Sequence, residues 1–268
     1  MKINFGKNVA TEDKTVKRSC TKEKEYKLRS AKDKYSEAIK DFFFPRHCPV
    51  CDTVLAGREV LICKDCSDIP RLVKAPRCVC CSKHLEQQEQ VRCRDCGGKR
   101  RNFEWGVALY EYASVHDSIH AFKNLGRAEY ATFYGSRMRQ FLLPAIKRMG
   151  GDALVPIPLH SSKLRSRGYN QAALLAKEIS RATGIPVRED ILIRVRKTAS
   201  QKKMDHITRQ NNMKKAFHMV KNDVKLKTII LVDDVFTTGN TIESAALELK
   251  RGGAEKVFFI ALAIGKGL

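Results

Sequence analysis

Ile229-Ile230-Leu231-Val232-Asp233-Asp234-Val235-Phe236-Thr237-Thr238-Gly239-Asn240-Thr241 is the stretch that decides how this chain folds. Four consecutive apolar residues describe a strand buried on both faces, as in a parallel sheet covered by helices. Two adjacent carboxylates stand at its carboxyl end, where open α/β sheets take their ligands. A small hydroxyl-rich loop with one glycine then opens a helical pattern over residues 241–251, ended by Gly252-Gly253. Gly239 permits the close backbone approach and unusual dihedrals that an anion cradle requires. The hydroxyls and amides of Thr237, Thr238, Gly239 and Thr241 offer donors to an anion, and the helix dipole favours its charge. Asp233 and Asp234 can each accept hydrogen bonds from a vicinal diol, and they put negative charge where an oxocarbenium-like centre would develop. Val235, Phe236 and Asn240 complete the segment. Together these features describe a cradle for a ribose 5-phosphate. A ligand-free acidic turn would carry the like-charge repulsion with nothing to offset it.

The flanking sequence agrees with a sheet of this kind. Ala153-Leu154-Val155-Pro156-Ile157-Pro158 reads as a buried strand, and residues 171–182 follow with Ala172, Leu175, Ala176 and Ile179 at helical spacing. Residues 191–195 read as another strand, 196–215 as a long basic loop, and 256–264 as a last strand. Strand, helix, strand, helix and strand at these lengths predict an α/β fold with a parallel sheet and helices on both faces.

Upstream lie four C-x-x-C pairs: Cys48/Cys51, Cys63/Cys66, Cys78/Cys81 and Cys93/Cys96. Two cysteines at this spacing aim both sulfurs at one ion from a tight turn, and two pairs complete a tetrahedral thiolate site. Four pairs predict two zinc sites, structural because a closed four-thiolate site has no open position for chemistry. The interval between pairs is constant, so spacing alone leaves the pairing open. The likeness of Cys48-x-x-Cys51-x-x-x-Leu55 to Cys78-x-x-Cys81-x-x-x-Leu85 favours sequential units, with a cross-braced arrangement as the alternative. Cys20 and Cys80 read as bystanders, and His47 and His84 as surface residues rather than ligands.

Composition narrows the rest. Fifty-one Lys and Arg against 29 acidic residues give a formal net charge of +22, a field that attracts phosphates, nucleotides or nucleic acid. Arg71, Lys74, Arg77, Arg92, Arg94, Lys99, Arg100 and Arg101 could make the cysteine module a nucleic-acid contact. One Trp and few other aromatics argue against a base-stacking platform. No apolar run is long enough to span a bilayer, and the first residues lack the order of a signal peptide. The expected location is the cytoplasm, where ten cysteines make a poor disulfide framework. The expected organisation is a basic, disordered or helical extension over 1–41, a cysteine-rich module over 42–101 and the α/β domain over 102–268.

The segment from Ile229 to Thr241 is similar to the signature of type I phosphoribosyltransferases, with Phe236 where that pattern has an aliphatic residue or Tyr. Joined to the cysteines, to Val155-Pro156-Ile157-Pro158-Leu159-His160 and to Arg167-Gly168-Tyr169-Asn170-Gln171, it makes the chain resemble the ComF family over residues 44–263. Members of that family are linked to DNA uptake in naturally transformable bacteria. The resemblance implies a double zinc ribbon before a type I phosphoribosyltransferase-like domain that binds phosphoribosyl pyrophosphate with Mg²⁺. Asp233 and Asp234 would then be the catalytic pair. Pro156, Pro158, Leu159 and His160 would form the pyrophosphate loop, with Lys163, Arg165 and Arg167 as cationic donors. Arg194, Gln201 and Arg209 would act from the family's flexible loop, and Lys123 from a basic helix end over residues 119–127. The implied activity is transfer of phosphoribosyl to a nitrogen acceptor with release of pyrophosphate. The alternatives are a competence protein that binds single-stranded DNA or senses the ligand without turnover. Other competence proteins are implied partners. No segment names the acceptor.

Overall fold

The computed structural model describes residues 45–57, 59–195, 216–220 and 226–265. The basic extension, Gln201 and Arg209 lie outside them. In chain order the elements are β1 (Gly106–Glu111), α1 (Tyr112–Asn124), α2 (Tyr130–Met149), β2 (Ala153–Pro156), α3 (Ser161–Arg167) and α4 (Gln171–Thr183). They continue with β3 (Leu192–Arg194), β4 (Phe217–Met219), β5 (Thr228–Phe236), α5 (Asn240–Arg251) and β6 (Lys256–Ile264). The apolar run at residue 229 becomes β5, an inner strand of a four-stranded sheet ordered β1-β6-β5-β2. All three pairings are parallel, with Val155 opposite Leu231 and Leu231 opposite Phe259.

Each inner strand is buried on both faces, which is why the runs are apolar without alternation. Ile229, Leu231 and Phe236 share one core with Ile242, Ala245, Ala246 and Leu249 of α5. Ile230 and Val232 share the other with Ile119 of α1, Met138 of α2 and Leu175 of α4. Burying each such side chain contributes about 1.5–3 kcal/mol, so these two layers fix where the end of β5 points. Asn170 caps α4 with its side-chain oxygen, and Gly184 ends it at φ +73°.

Three features depart from the sequence reading. β5 does not stop at Val232: Asp233, Val235 and Phe236 stay in register with Ala261, Ala263 and Ile264 of β6. Residues 192–194 do not join the parallel sheet but pair antiparallel with β4. Residues 161–167, assigned to no element from the sequence, form α3.

The second cysteine module shares the first of the two cores. Cys78, Cys80, Cys81, Leu85 and Cys96 pack with Phe103, Phe236 and Phe259. The chain between the modules covers the outer edge of β1. Leu72 bridges Tyr110, Val73 N donates to Leu109 O at 3.0 Å, and Glu111 N donates to Arg71 O at 2.9 Å. That contact shields a strand edge that would otherwise offer unpaired amides. The first module keeps its own small core of Cys48, Leu55 and Cys66. It is fastened to α2 by Tyr130, whose hydroxyl donates to Asp52 at 2.7 Å and to Cys48 O at 3.1 Å.

Candidate functional site

A cleft of about 350 Å³ opens at the carboxyl ends of β2 and β5. Ten of the residues singled out from sequence line it: Lys123, Leu159, Lys163, Arg167, Arg194, Asp233, Asp234, Val235, Thr237 and Thr241. Tyr112, Ile157, Asn170 and Ala172 line it as well and were not anticipated. Pro158, His160, Arg165, Thr238, Gly239 and Asn240 belong to the surrounding segments without lining the cleft. His160 instead caps α3, its Nδ1 accepting from Ser162 N at 3.3 Å.

The two carboxylates occupy different surroundings. Asp234 is 14% exposed and pairs with Lys123 Nζ at 2.7 Å. Asp233 accepts from the Asp234 amide at 2.8 Å. Burial, reinforced by the charge of Asp234, pushes Asp233 up to about 7, against the pull of Lys123, that amide and Arg194. Near neutrality Asp233 is therefore poised between its two protonation states, and an arriving cation favours the charged one.

Lys123 owes its position to the Arg167–Gln171 motif. At the end of α1, the carbonyl of Phe122 accepts from Tyr169 Oη at 2.5 Å. The buried Gln171 amide reaches the carbonyls of Phe122 and Lys123, each at 3.4 Å. Gln171 Oε1 accepts in turn from Arg167 at 3.1 Å. Asn170 donates to Ile157 O at 3.0 Å while capping α4, which ties the loop after β2 to the helix beside it. A motif quoted for its family resemblance thus places one cation and braces another.

Lys163, Arg167, Arg194 and Lys123 converge on one cleft. Burial first, then the charges of Arg167, Arg194 and Lys123, holds the Lys163 ammonium below its ordinary range. Burial also lowers Arg194, whose guanidinium lies 5.4 Å from the ring centre of Phe217. Three cations beyond the Lys123–Asp234 pair thus share one cleft, an arrangement chemically suited to a polyanion.

The loop beneath α5 is held from below. Gly239 takes φ +82°, and a Cβ on it would lie 2.6 Å from Cζ of Phe236. Phe236 is 1% exposed, so its ring belongs to the core and at the same time forms the floor on which the loop rests. It stacks on Phe259 with centroids 4.6 Å apart at 3°. From the second cysteine module, Arg101 Nη2 donates to Asp95 O at 2.6 Å and reaches Thr238 O at 3.5 Å. Asn102 donates from its backbone and its side chain to Glu243 in the first turn of α5. Sequence reasoning missed this strut because its two halves are 141 residues apart.

The cysteines gather as sequential units. Cys48, Cys51, Cys63 and Cys66 form one cluster and Cys78, Cys81, Cys93 and Cys96 the other, each with all sulfurs within 4.8 Å. Four thiolates at 2.3 Å from one zinc sit about 3.8 Å apart. Sulfur separations of 3.6 Å for Cys48–Cys63, 3.7 Å for Cys51–Cys63 and 3.5 Å for Cys81–Cys93 fit that tetrahedron. The donor set is the one zinc takes in structural sites. Cys80 belongs to neither cluster, although it is buried.

Comparison with known proteins agrees with both halves of the chain. The phosphoribosyl transferase domain family matches residues 166–267, and the double zinc ribbon domain family matches 39–97. Competence protein F of Haemophilus influenzae is 31% identical over 228 residues, spanning 80% of this chain and 95% of that protein. DNA utilization protein YhgH of Escherichia coli is 30% identical over 219 residues, spanning 80% and 94%. Competence protein ComFC of Bacillus subtilis is 28% identical over 207 residues, spanning 73% and 81%. Among solved structures, a purine phosphoribosyltransferase from Pyrococcus horikoshii is similar over 49% of this chain and 73% of that one. Its identity is 17% and its TM-score 0.31. With a double zinc ribbon ahead of a phosphoribosyltransferase domain, the chain belongs to the competence protein F (ComF) family.

Proposed function

We propose that the cleft binds phosphoribosyl pyrophosphate with Mg²⁺ and that the protein transfers the phosphoribosyl group to a nitrogen nucleophile. The supporting observation is the pairing of two carboxylates with four converging cations beside a hydroxyl-rich loop at a helix start. Thr237, Thr241 and the first amides of α5 take the 5-phosphate. Asp233 and Asp234 accept from the ribose hydroxyls and offset positive charge at C1. Lys163, Arg167 and Arg194 hold the pyrophosphate, joined on the family pattern by Gln201 and Arg209. As the nitrogen lone pair forms the bond to C1, the C1–O bond breaks. Pyrophosphate leaves with the electron pair, and the proton shed by the nitrogen passes to it or to water. Mg²⁺, a hard cation suited to carboxylate and phosphate oxygens, supplies charge neutralisation on the pyrophosphate when bound. The ribbons hold two structural zinc ions in this reading.

The names of the relatives point to DNA utilisation and competence, and we assign the protein to that process. Exposed Arg92, Arg94, Lys99 and Arg100 on the second ribbon support a contact with single-stranded DNA. Such a contact would weaken steeply with added salt. Among the described residues no helix is long and apolar enough to cross a membrane. We place the protein in the cytoplasm, where its thiols stay reduced and free for metal.

Calorimetric titration of phosphoribosyl pyrophosphate with Mg²⁺ into the zinc-loaded chain tests the reading. Saturable binding is expected, lost in Asp233→Asn/Asp234→Asn and weakened at least tenfold in Lys123→Ala. Equal binding by the double variant, or none by the folded wild type, refutes it.

A further inference from the structure

Gly239 opens α5 without a side chain to cap it, so the first amides of the helix are left for an anion. The loop ahead of the helix is made of small residues, and Thr237, Thr238 and Asn240 are not buried. Such a loop takes little order from its own packing. Beyond the Phe236 ring beneath it, its order comes from the second ribbon.

Asp95 stands between Cys93 and Cys96, in a turn closed by Cys96 N to Cys93 O at 3.0 Å and by Gly97 N to the same oxygen at 2.8 Å. Arg101 Nη2 donates to Asp95 O at 2.6 Å, lies 3.9 Å from Cys96 Sγ and reaches Thr238 O at 3.5 Å. One guanidinium nitrogen thus joins the metal-binding turn to the phosphate loop. In a trans peptide the carbonyl and the following N–H point opposite ways, so drawing Thr238 O toward the ribbon turns the Gly239 amide away from it. Asn102 donates to Glu243 Oε1 from its side chain at 2.5 Å and from its amide at 3.1 Å. Glu243 N in turn closes the first turn of α5 on Gly239 O at 2.8 Å. Two consecutive residues leaving the ribbon therefore hold both the loop and the helix start.

We infer that Arg101 and Asn102 are positioning residues for the 5-phosphate end of the donor, and that zinc in the second ribbon sets the affinity of that end through them. This rests on the reading of the cleft as a donor site. Zinc fixes the turn from Cys93 to Cys96, and with it the carbonyl that anchors Arg101. Without the metal the anchor loosens and the loop loses its preorganised shape. The cations for the pyrophosphate are carried by other elements, Lys123 by α1, Lys163 and Arg167 by α3 and Arg194 by β3. The two ends of the donor should therefore respond differently.

The test titrates two probes into the full zinc-loaded chain by calorimetry, ribose 5-phosphate for the loop and pyrophosphate with Mg²⁺ for the cations. Zinc is counted by plasma mass spectrometry. Arg101→Met should keep both zinc ions and bind ribose 5-phosphate about tenfold more weakly, the size of one hydrogen bond to a charged group. Asn102→Ala changes no charge and should weaken the same probe about threefold. Cys93→Ser should lose one zinc and weaken ribose 5-phosphate as Arg101→Met does. Pyrophosphate affinity should stay within about twofold in all three. A lost electrostatic field or general damage would weaken both probes together, and that result overturns the inference. So does unchanged ribose 5-phosphate affinity in Arg101→Met and Asn102→Ala, which decide the point even where Cys93→Ser does not fold. Binding of neither probe by the folded wild type overturns the donor reading, and this inference with it.

Discussion

Replacing Gly239 with alanine should cost far more than one methyl group implies. The backbone there sits at φ +82°, a conformation that costs an L-residue about 1–2 kcal/mol. The new Cβ would also fall 2.6 Å from Cζ of Phe236 and 3.0 Å from Cε2. That ring has nowhere to retreat, being stacked on Phe259 at 4.6 Å with Phe103 edge-on at 6.3 Å. Overpacking against a buried ring adds about 1–3 kcal/mol. The sum is roughly 2–5 kcal/mol, divided between lost stability and a displaced loop. Urea denaturation should give a lower midpoint at unchanged slope, and calorimetry should show weaker binding of phosphoribosyl pyrophosphate. Phe236→Leu in the same background should remove the clash and leave only the dihedral cost, a coupling of about 1–3 kcal/mol in the double-mutant cycle. If Gly239→Ala costs less than about 0.5 kcal/mol, or the two changes are additive, the loop is not braced on the ring as described.

Asp233 makes stability depend on pH. In the unfolded chain it ionises near 3.8, whereas in the folded protein burial keeps it protonated to about 7. Its contribution is therefore full below the unfolded value, falls as pH rises toward 7 and is lost above that. Asp233→Asn should flatten this slope and be more stable than the wild type at pH 8; a slope that survives the substitution in urea titrations contradicts the assignment. Metal analysis by plasma mass spectrometry should find two zinc ions per chain. Cys78→Ser should lose one of them and Cys80→Ser should retain both, since Cys80 stands outside the clusters despite its burial; zinc loss in Cys80→Ser would show that it is a ligand.

The centre of the fold was legible because strand, acids, loop and helix are consecutive from Ile229 onward, so local pattern and site coincide. The cysteine units were legible for a similar reason, each ligand set being contiguous in sequence. The extension of β5 through Asp233 was not, because two acids end the apolar run while Ala261 and Ala263 on β6 keep the ladder going. β1 and the first half of α1 were missed because Glu111 ends one and Tyr112 begins the other, with no glycine or proline marking the change of period. α2 carries Pro144 in its interior, a residue that argues against helix when read alone. The antiparallel pair β3–β4 joins residues 192–194 to 217–219, and no local signal specifies that closure. In the site, the cations of the first loop could be named from the family pattern. The brace from Arg101 and Asn102 exists only once residues 141 apart meet.

The shared core of the second ribbon sets an order on synthesis. Cys78 to Cys96 leave the ribosome early, and their metal can be captured from that short segment alone. Phe103, directly after them, faces Phe236 and Phe259, and Phe259 lies in the last strand. The ribbon therefore waits with an apolar flank uncovered until Phe259, more than 150 residues downstream of Phe103, has emerged. Sequence separation on this scale slows closure and prolongs exposure to misassociation. Metal capture by the four thiolates would hold the ribbon in shape through that interval, which would give them a part in biogenesis as well as in the finished molecule.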